Sequence, residues 1–182
     1  MGDATFQSQP ARAVDLSAKM LAITGLAGAT ITILTALGYE HLGGYAPCPL
    51  CLQQRYAYYA AIPLGLLAVW CLSSSAAPTR RQLAAGVLAL ITLAFAINAG
   101  LGVYHAGAEW EFWQGPTACA GGATDVISDA SGLLAALEAD TVVRCDKPSW
   151  RFLGISFAGY NALISAALAG IAALGAITAR RA

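Results

Sequence analysis

The chain has 182 residues, of which 58% are hydrophobic and only 11% charged, and its formal net charge is zero. A soluble domain carries about 25% charged residues, and a neutral balance offers no footprint for nucleic acid or an acidic substrate. The charges cluster, leaving four uncharged windows: Met20 to Tyr39, Tyr56 to Thr79, Gln82 to Ala108 and Phe152 to Ala179. Each is at least as long as the ~20 residues that cross ~30 Å of hydrocarbon as a helix. A soluble all-α bundle is the competing reading, and four such windows in so short a chain weigh against it. The expected fold is an all-α membrane protein, a bundle of four transmembrane helices with two outward loops, forming one domain over residues 1–182.

In chain order, a polar N-terminal stretch with Arg12 and Lys19 precedes the first window. That window is too long for a secretory h-region and reads as a retained helix, about 20–39. Its small residues Gly25, Gly28 and Ala29 let a neighbouring helix approach closely. Gly38 and Gly43-Gly44 loosen its exit. A short loop then carries Pro47-Cys48-Pro49-Leu50-Cys51-Leu52-Gln53-Gln54-Arg55. Helix two, about 56–74, opens on Tyr56, Tyr58 and Tyr59, an expected interfacial aromatic belt. Pro63 is placed to kink it, and Cys71 near its far end reads as a small buried hydrophobe. After a turn from Ser73 to Pro78, helix three, about 83–104, contains Asn98, an expected interhelical hydrogen-bonding residue.

The second outward loop holds Trp110, Phe112 and Trp113, expected at the bilayer interface, and then Cys119 between Gly115-Pro116 and Gly121-Gly122, which predict a mobile loop. Asp129 to Ala139 reads as a short amphipathic helix lying on the membrane surface or packing on the loop's own core. Cys145 precedes Asp146-Lys147-Pro148-Ser149-Trp150, which leads into helix four, about 154–178.

Orientation follows from the basic residues. Arg12 and Lys19, Arg80 and Arg81, and Arg180 and Arg181 flank the windows so that four crossings put all three groups on one side, which the positive-inside rule makes cytoplasmic. Both termini are then cytoplasmic, and Cys48, Cys51, Cys119 and Cys145 lie on the outer, oxidising side of a bacterial inner membrane.

A Cys-x-x-Cys pair closes a small ring that adds little constraint to the chain, so Cys48 and Cys51 suit redox exchange better than stapling. A helix beginning near Cys51 points its free N–H groups at that sulfur. Its dipole and Arg55, four residues on, both favour a thiolate at Cys51. Cys119 and Cys145 are also compatible with a purely structural disulfide. Zinc is a rival for the four thiols, but structural zinc sites usually show two short-spaced pairs and only one is present, so no metal is expected. Covalent haem is excluded, because Leu52 rather than His follows Cys51. His41 reads as a solvated loop residue. His105, at the outer end of helix three, reads as an interfacial structural residue or a quinone contact, the former favoured.

Four helices, Cys-Pro-Leu-Cys with Arg55 four residues beyond, and Cys145-Asp146-Lys147-Pro148-Ser149-Trp150 before the last helix together resemble the disulfide bond formation protein B (DsbB) family. The likeness covers nearly the whole chain beyond the polar N-terminal tail. It implies a protein-disulfide oxidase that reoxidises a periplasmic DsbA-like thiol oxidase of the thioredoxin fold and passes electrons to membrane quinone, ubiquinone or menaquinone. Carried over by motif position, Cys119 forms the mixed disulfide with the partner and Cys145 is its loop mate. Cys48 exchanges with Cys145, Cys51 faces the quinone ring, and Arg55 matches the family's arginine beside the quinone. Gln54 stands where some members have an acidic residue. The route has a physical logic: thiol–disulfide exchange is reversible and needs a terminal sink, and no flavin or dinucleotide motif is present to supply one. A vitamin K epoxide reductase-like enzyme is an alternative, although in that family the membrane Cys-x-x-Cys comes late in the chain. A non-catalytic membrane protein with structural disulfides is another.

Overall fold

A computed structural model describes residues 8–73, 77–115, 145, 148 and 150–181, with side chains from residue 17 onward. Cys119 and the helix expected at Asp129 to Ala139 lie outside the described residues. Among those described are four helices, α1 (Ser8–His41), α2 (Pro49–Cys71), α3 (Pro78–Glu109) and α4 (Phe157–Arg181). A two-stranded antiparallel hairpin, β1 (Arg151–Phe152) and β2 (Ile155–Ser156), precedes α4. Leu153 and Gly154 both adopt positive φ, 50° and 81°, as a tight two-residue turn requires.

The helix starts follow from local chemistry. α2 and α3 each begin with proline in the first turn, where its missing N–H costs nothing. Cys48 caps α2, its sulfur accepting the Cys51 N–H, and the Ser156 hydroxyl caps α4 by accepting the Gly159 N–H at 3.2 Å. At the C-terminal end of α2, Arg80 donates to the Trp70 carbonyl at 2.6 Å and lies over the Trp70 ring. α1 is longer than its uncharged window. Within it, Thr30, Thr32 and Thr35 return their hydroxyls to carbonyls four residues back, so the helix carries them through an apolar setting.

Among the described residues, three segments are long and apolar enough to cross a membrane: Ser17–His41 of α1, Pro78–Glu109 and Phe157–Arg181. α2, the remaining expected span, carries Gln53, Gln54 and Arg55 in its first two turns. The helices pack with large apolar side chains outward, Ile31, Leu66, Trp70, Ile97 and Leu163 among them, while Gln54, Asn98, His105, Glu109 and Ser165 are buried inside. That inversion of the soluble pattern is what lipid as solvent selects. α3 and α4 share the most extensive contact. Gly102 permits it: a Cβ there would stand 2.9 Å from the Ala162 nitrogen. Gly28 likewise lets α1 meet Leu168 of α4, as its small residues predicted.

Asn98 donates to the Ser165 hydroxyl at 2.9 Å, joining α3 to α4 as expected. Cys71 is a free thiol and fully buried. Tyr56 and Tyr59 are exposed, as an interfacial belt requires, but Tyr58 is buried. One helical turn beyond Gln54, Tyr58 shares that residue's inward face. Trp110, Phe112 and Trp113 are exposed in a cluster of rings, and Trp113 folds back to stack on Tyr104 at 5.9 Å.

Candidate functional site

α2 begins at Pro49, two residues before Cys51 and seven before the expected start of helix two near 56, and this decides which sulfur the helix N-terminus serves. Because α2 starts at Pro49, Cys48 is the N-cap, and its Sγ accepts the Cys51 N–H at 3.2 Å. The two sulfurs are 2.8 Å apart as free thiols, and His105 Nε2 stands 3.7 Å from Cys48 Sγ. The Cys51 thiol hydrogen bond, opposed by burial and reinforced by His105, pulls the Cys48 pKa down to about 5. The expectation that Cys51 is the favoured thiolate is therefore corrected: the helix N-terminus serves Cys48, and Cys51 is the donor. Arg55 does not supply the second influence either, because its guanidinium is engaged by the Glu40 carboxylate.

Cys145 is disulfide-bonded and buried, and it packs in one small cluster with Cys48 and Leu50, against Cys51 and Leu101. The fold thus brings Cys48, Cys51, Cys145 and His105 together. Arg55 lies a turn away, on the wall of the same cavity.

That cavity, about 450 Å³, opens between α1, α2 and α4. Tyr39, Trp150, Phe152 and Phe157 form an aromatic wall, with Trp150 stacked on Phe152 at 5.6 Å and Tyr39 edge-on to Phe157 at 5.1 Å. Cys48, Cys51, Gln54, Arg55, His105, Glu109 and Asn161 supply its polar groups. An apolar cleft of this size with a few convergent polar groups is the usual form of a small-molecule site.

A buried polar chain runs from the bundle interior to the cysteines. Asn161 Nδ2 donates to Gln54 Oε1 at 2.9 Å, and Gln54 Nε2 contacts His105 Nδ1 at 3.0 Å. Tyr58 donates to Asn161 Oδ1 at 2.7 Å and also contacts Ser165 Oγ at 3.1 Å. Sequence reasoning missed Asn161, Tyr58, Ser165, Glu40 and Glu109 as site residues. The two acids were visible in one respect: they close the first and third uncharged windows at the same end of the bundle, and Glu109 is four residues after His105.

Cys48, Cys51 and His105 place their ligand-type atoms within 4.8 Å of one another. Such a donor set is compatible with a metal ion as well as with formation of an S–S bond.

A family model described as disulfide bond formation protein DsbB matches residues 18–175. The chain is also 28% identical over 155 residues to an uncharacterized protein, RP370, of Rickettsia prowazekii (strain Madrid E), covering 82% of this chain and 83% of that one. No solved structure matches the chain.

Proposed function

Because the chain belongs to the disulfide bond formation protein DsbB family, an integral-membrane family of thiol oxidoreductases, we propose that it is a quinone-dependent protein-disulfide oxidase of the bacterial inner membrane. In this reading it is a single domain of four membrane-spanning helices, α2 being the fourth, with cytoplasmic termini and periplasmic cysteine loops. It reoxidises a periplasmic DsbA-like thiol oxidase and delivers the electrons to ubiquinone or menaquinone.

The observation that carries the reading is the packing of disulfide-bonded Cys145 against Cys48, beside Cys51. It supports a relay between two cysteine pairs from separate loops. Cys119 takes the partner's thiolate attack, releasing Cys145 as a thiolate. Cys145 then attacks Cys48 Sγ within a Cys48–Cys51 disulfide, and Cys51 leaves with the electron pair. The partner's second thiolate then releases Cys119, which attacks Cys145 Sγ and frees Cys48; when Cys48 closes again onto Cys51, two electrons must leave the protein. A bound quinone supplies the two-electron sink that thiol exchange lacks.

The cavity fits such a group: its aromatic wall accommodates a planar ring, and Arg55 and Asn161 offer donors for ring oxygens. Arg55 would favour charge developing on an oxygen there, while Glu40 holds its side chain in place. The stacked rings of Trp150, Phe152 and Phe157 line the cavity that holds the sulfurs. His105 donates to the Cys48 thiolate and keeps it poised.

The test is oxidation of a reduced DsbA-like protein by the purified enzyme with quinone absorbance followed in parallel. One quinone should be consumed per disulfide formed. Cys119→Ala should stop oxidation of the partner yet leave quinone reduction by a small dithiol, and Cys51→Ala should stop both. Partner oxidation that persists in Cys119→Ala, or proceeds without quinone loss, would sink the proposal.

A further inference from the structure

The relay sets Cys48 free as a thiolate before it closes on Cys51, and a chain of buried side chains ends on that sulfur. Cys48 Sγ accepts the Cys51 N–H at 3.2 Å as the cap of α2. A thiolate has no proton to give, so His105 Nε2, 3.7 Å away, faces it as a donor. A Glu109 carboxylate oxygen, 3.9 Å from the same nitrogen, is a second acceptor there. Both neighbours therefore favour a ring proton on Nε2.

A neutral imidazole with its proton on Nε2 has a bare Nδ1, which needs a donor. Gln54 stands 3.0 Å from Nδ1, and an amide can present either its NH2 or its oxygen. Which one it presents is decided one residue further on. Asn161 Nδ2 donates to Gln54 Oε1 at 2.9 Å, so the oxygen is taken and Gln54 Nε2 is turned to the ring. Asn161 is held in turn by its own oxygen, which accepts from Tyr58 at 2.7 Å and from Asn98 at 3.5 Å. Asn98 also donates to Ser165 Oγ at 2.9 Å, and Ser165 Oγ lies 3.1 Å from the Tyr58 hydroxyl, whose proton is engaged on Asn161. The bonds all run one way, from Asn98 through Ser165, Tyr58, Asn161, Gln54 and His105 to the sulfur. Turning the Gln54 or the Asn161 amide alone would set like against like, in a chain whose other members are all buried.

We propose that Asn161 is a positioning residue of the thiol site: acting through Gln54, it fixes the His105 tautomer whose Nε2–H meets the Cys48 thiolate. The inference deepens the relay reading above and rests on it, because it takes Cys48 to be freed as a thiolate, but it needs neither quinone nor partner. The groups around Cys48 are Cys51 on its own helix, His105 and, further off, Glu109 on α3, and disulfide-bonded Cys145. Of these, His105 is the one that the chain from Asn161 reaches.

The test is nitrogen-15 NMR of the reduced, quinone-free protein labelled at histidine. The chain has two histidines, and His41→Gln leaves the signals of His105 alone. Nε2 should carry the proton, and Nδ1 should show the shift of a bare, hydrogen-bonded nitrogen. In Asn161→Leu the Gln54 amide is free to turn, so the two nitrogen shifts should move toward each other as the tautomers mix. Asn161→Ser, whose hydroxyl is too short to reach Gln54, should do the same and guards against loss of fold in the first variant. The Cys48 thiolate midpoint should rise in Asn161→Leu by under ~1 pH unit, no more than in His105→Phe, and no further when the two are combined. A proton on Nδ1, or on both nitrogens, in the wild type overturns the proposal. So do nitrogen shifts unmoved by both variants, or midpoint shifts that add in the double variant, as a merely structural residue would give. Failure of partner oxidation or of quinone reduction counts against the relay instead, and the NMR measurement, which uses neither, keeps the two failures apart.

Discussion

The position of Cys48 at the start of α2 predicts that Cys48, not Cys51, is the stable thiolate of the pair. An ordinary thiol here would titrate near 9.0, and Cys48 is pulled down to about 5. The sign is that of an acid whose charged form is favoured: Cys48 stays ionised from about pH 5 upward and loses its charge only as pH falls through that value. At pH 7 this makes the thiolate outnumber the thiol by about 100 to 1, whereas an ordinary thiol is about 1% ionised. Cys51→Ala removes the largest donor. A hydrogen bond to a charged group contributes ~1.5–3 kcal/mol, so the Cys48 midpoint should rise by ~1–2 pH units at ~1.4 kcal/mol per unit. The backbone N–H at position 51 remains and keeps the midpoint below an ordinary thiol. His105→Phe should raise it by less, under ~1 unit, since Nε2 is 3.7 Å from the sulfur. The assay is ultraviolet thiolate absorbance against pH for the reduced protein, taken as wild type minus Cys48→Ser. A low midpoint that survives Cys48→Ser and vanishes in Cys51→Ala would show that Cys51 holds the charge and refute the N-cap reasoning.

Gly107→Ala would drive a Cβ into the Trp113 ring. It should expel that ring from its stack on Tyr104, cost ~1–3 kcal/mol as other overpacked sites do, and move the tryptophan emission; unchanged emission would mean the ring does not sit there. Asn98→Leu removes the α3–α4 donor to Ser165 and should lower thermal stability in detergent by about 1 kcal/mol, with no loss expected if the residue merely fills space. Arg55→Lys keeps a charge at the cavity wall but loses the planar fork of donors. It should weaken quinone use about tenfold if ~1.4 kcal/mol is lost, and wild-type quinone kinetics would leave Arg55 as an interfacial anchor.

The membrane character of this chain was legible in its sequence because lipid imposes a requirement on composition alone. Every residue over a ~30 Å path must tolerate hydrocarbon, whatever its neighbours. Helix existence, the small-residue contact at Gly28, the interhelical role of Asn98 and the buried thiol of Cys71 follow from the same constraint, since each is a property of residue size or polarity on a helix. So does the pairing of Cys48 with Cys51, which needs only adjacency in the chain. What depended on tertiary structure is everything set by direction. Pro49 starts α2 and so hands the helix N-terminus to Cys48 instead of Cys51. Tyr58 points inward where Tyr56 and Tyr59 point out, because the helix turns about 100° per residue. Arg55 meets Glu40, 15 residues earlier, and Gln54 meets Asn161, 107 residues later, and no local pattern records either partner. The proton of His105 is placed by that second contact. Composition put this chain in a membrane, but only the packing of four helices against one another determined which sulfur the start of α2 serves and which polar groups meet around it.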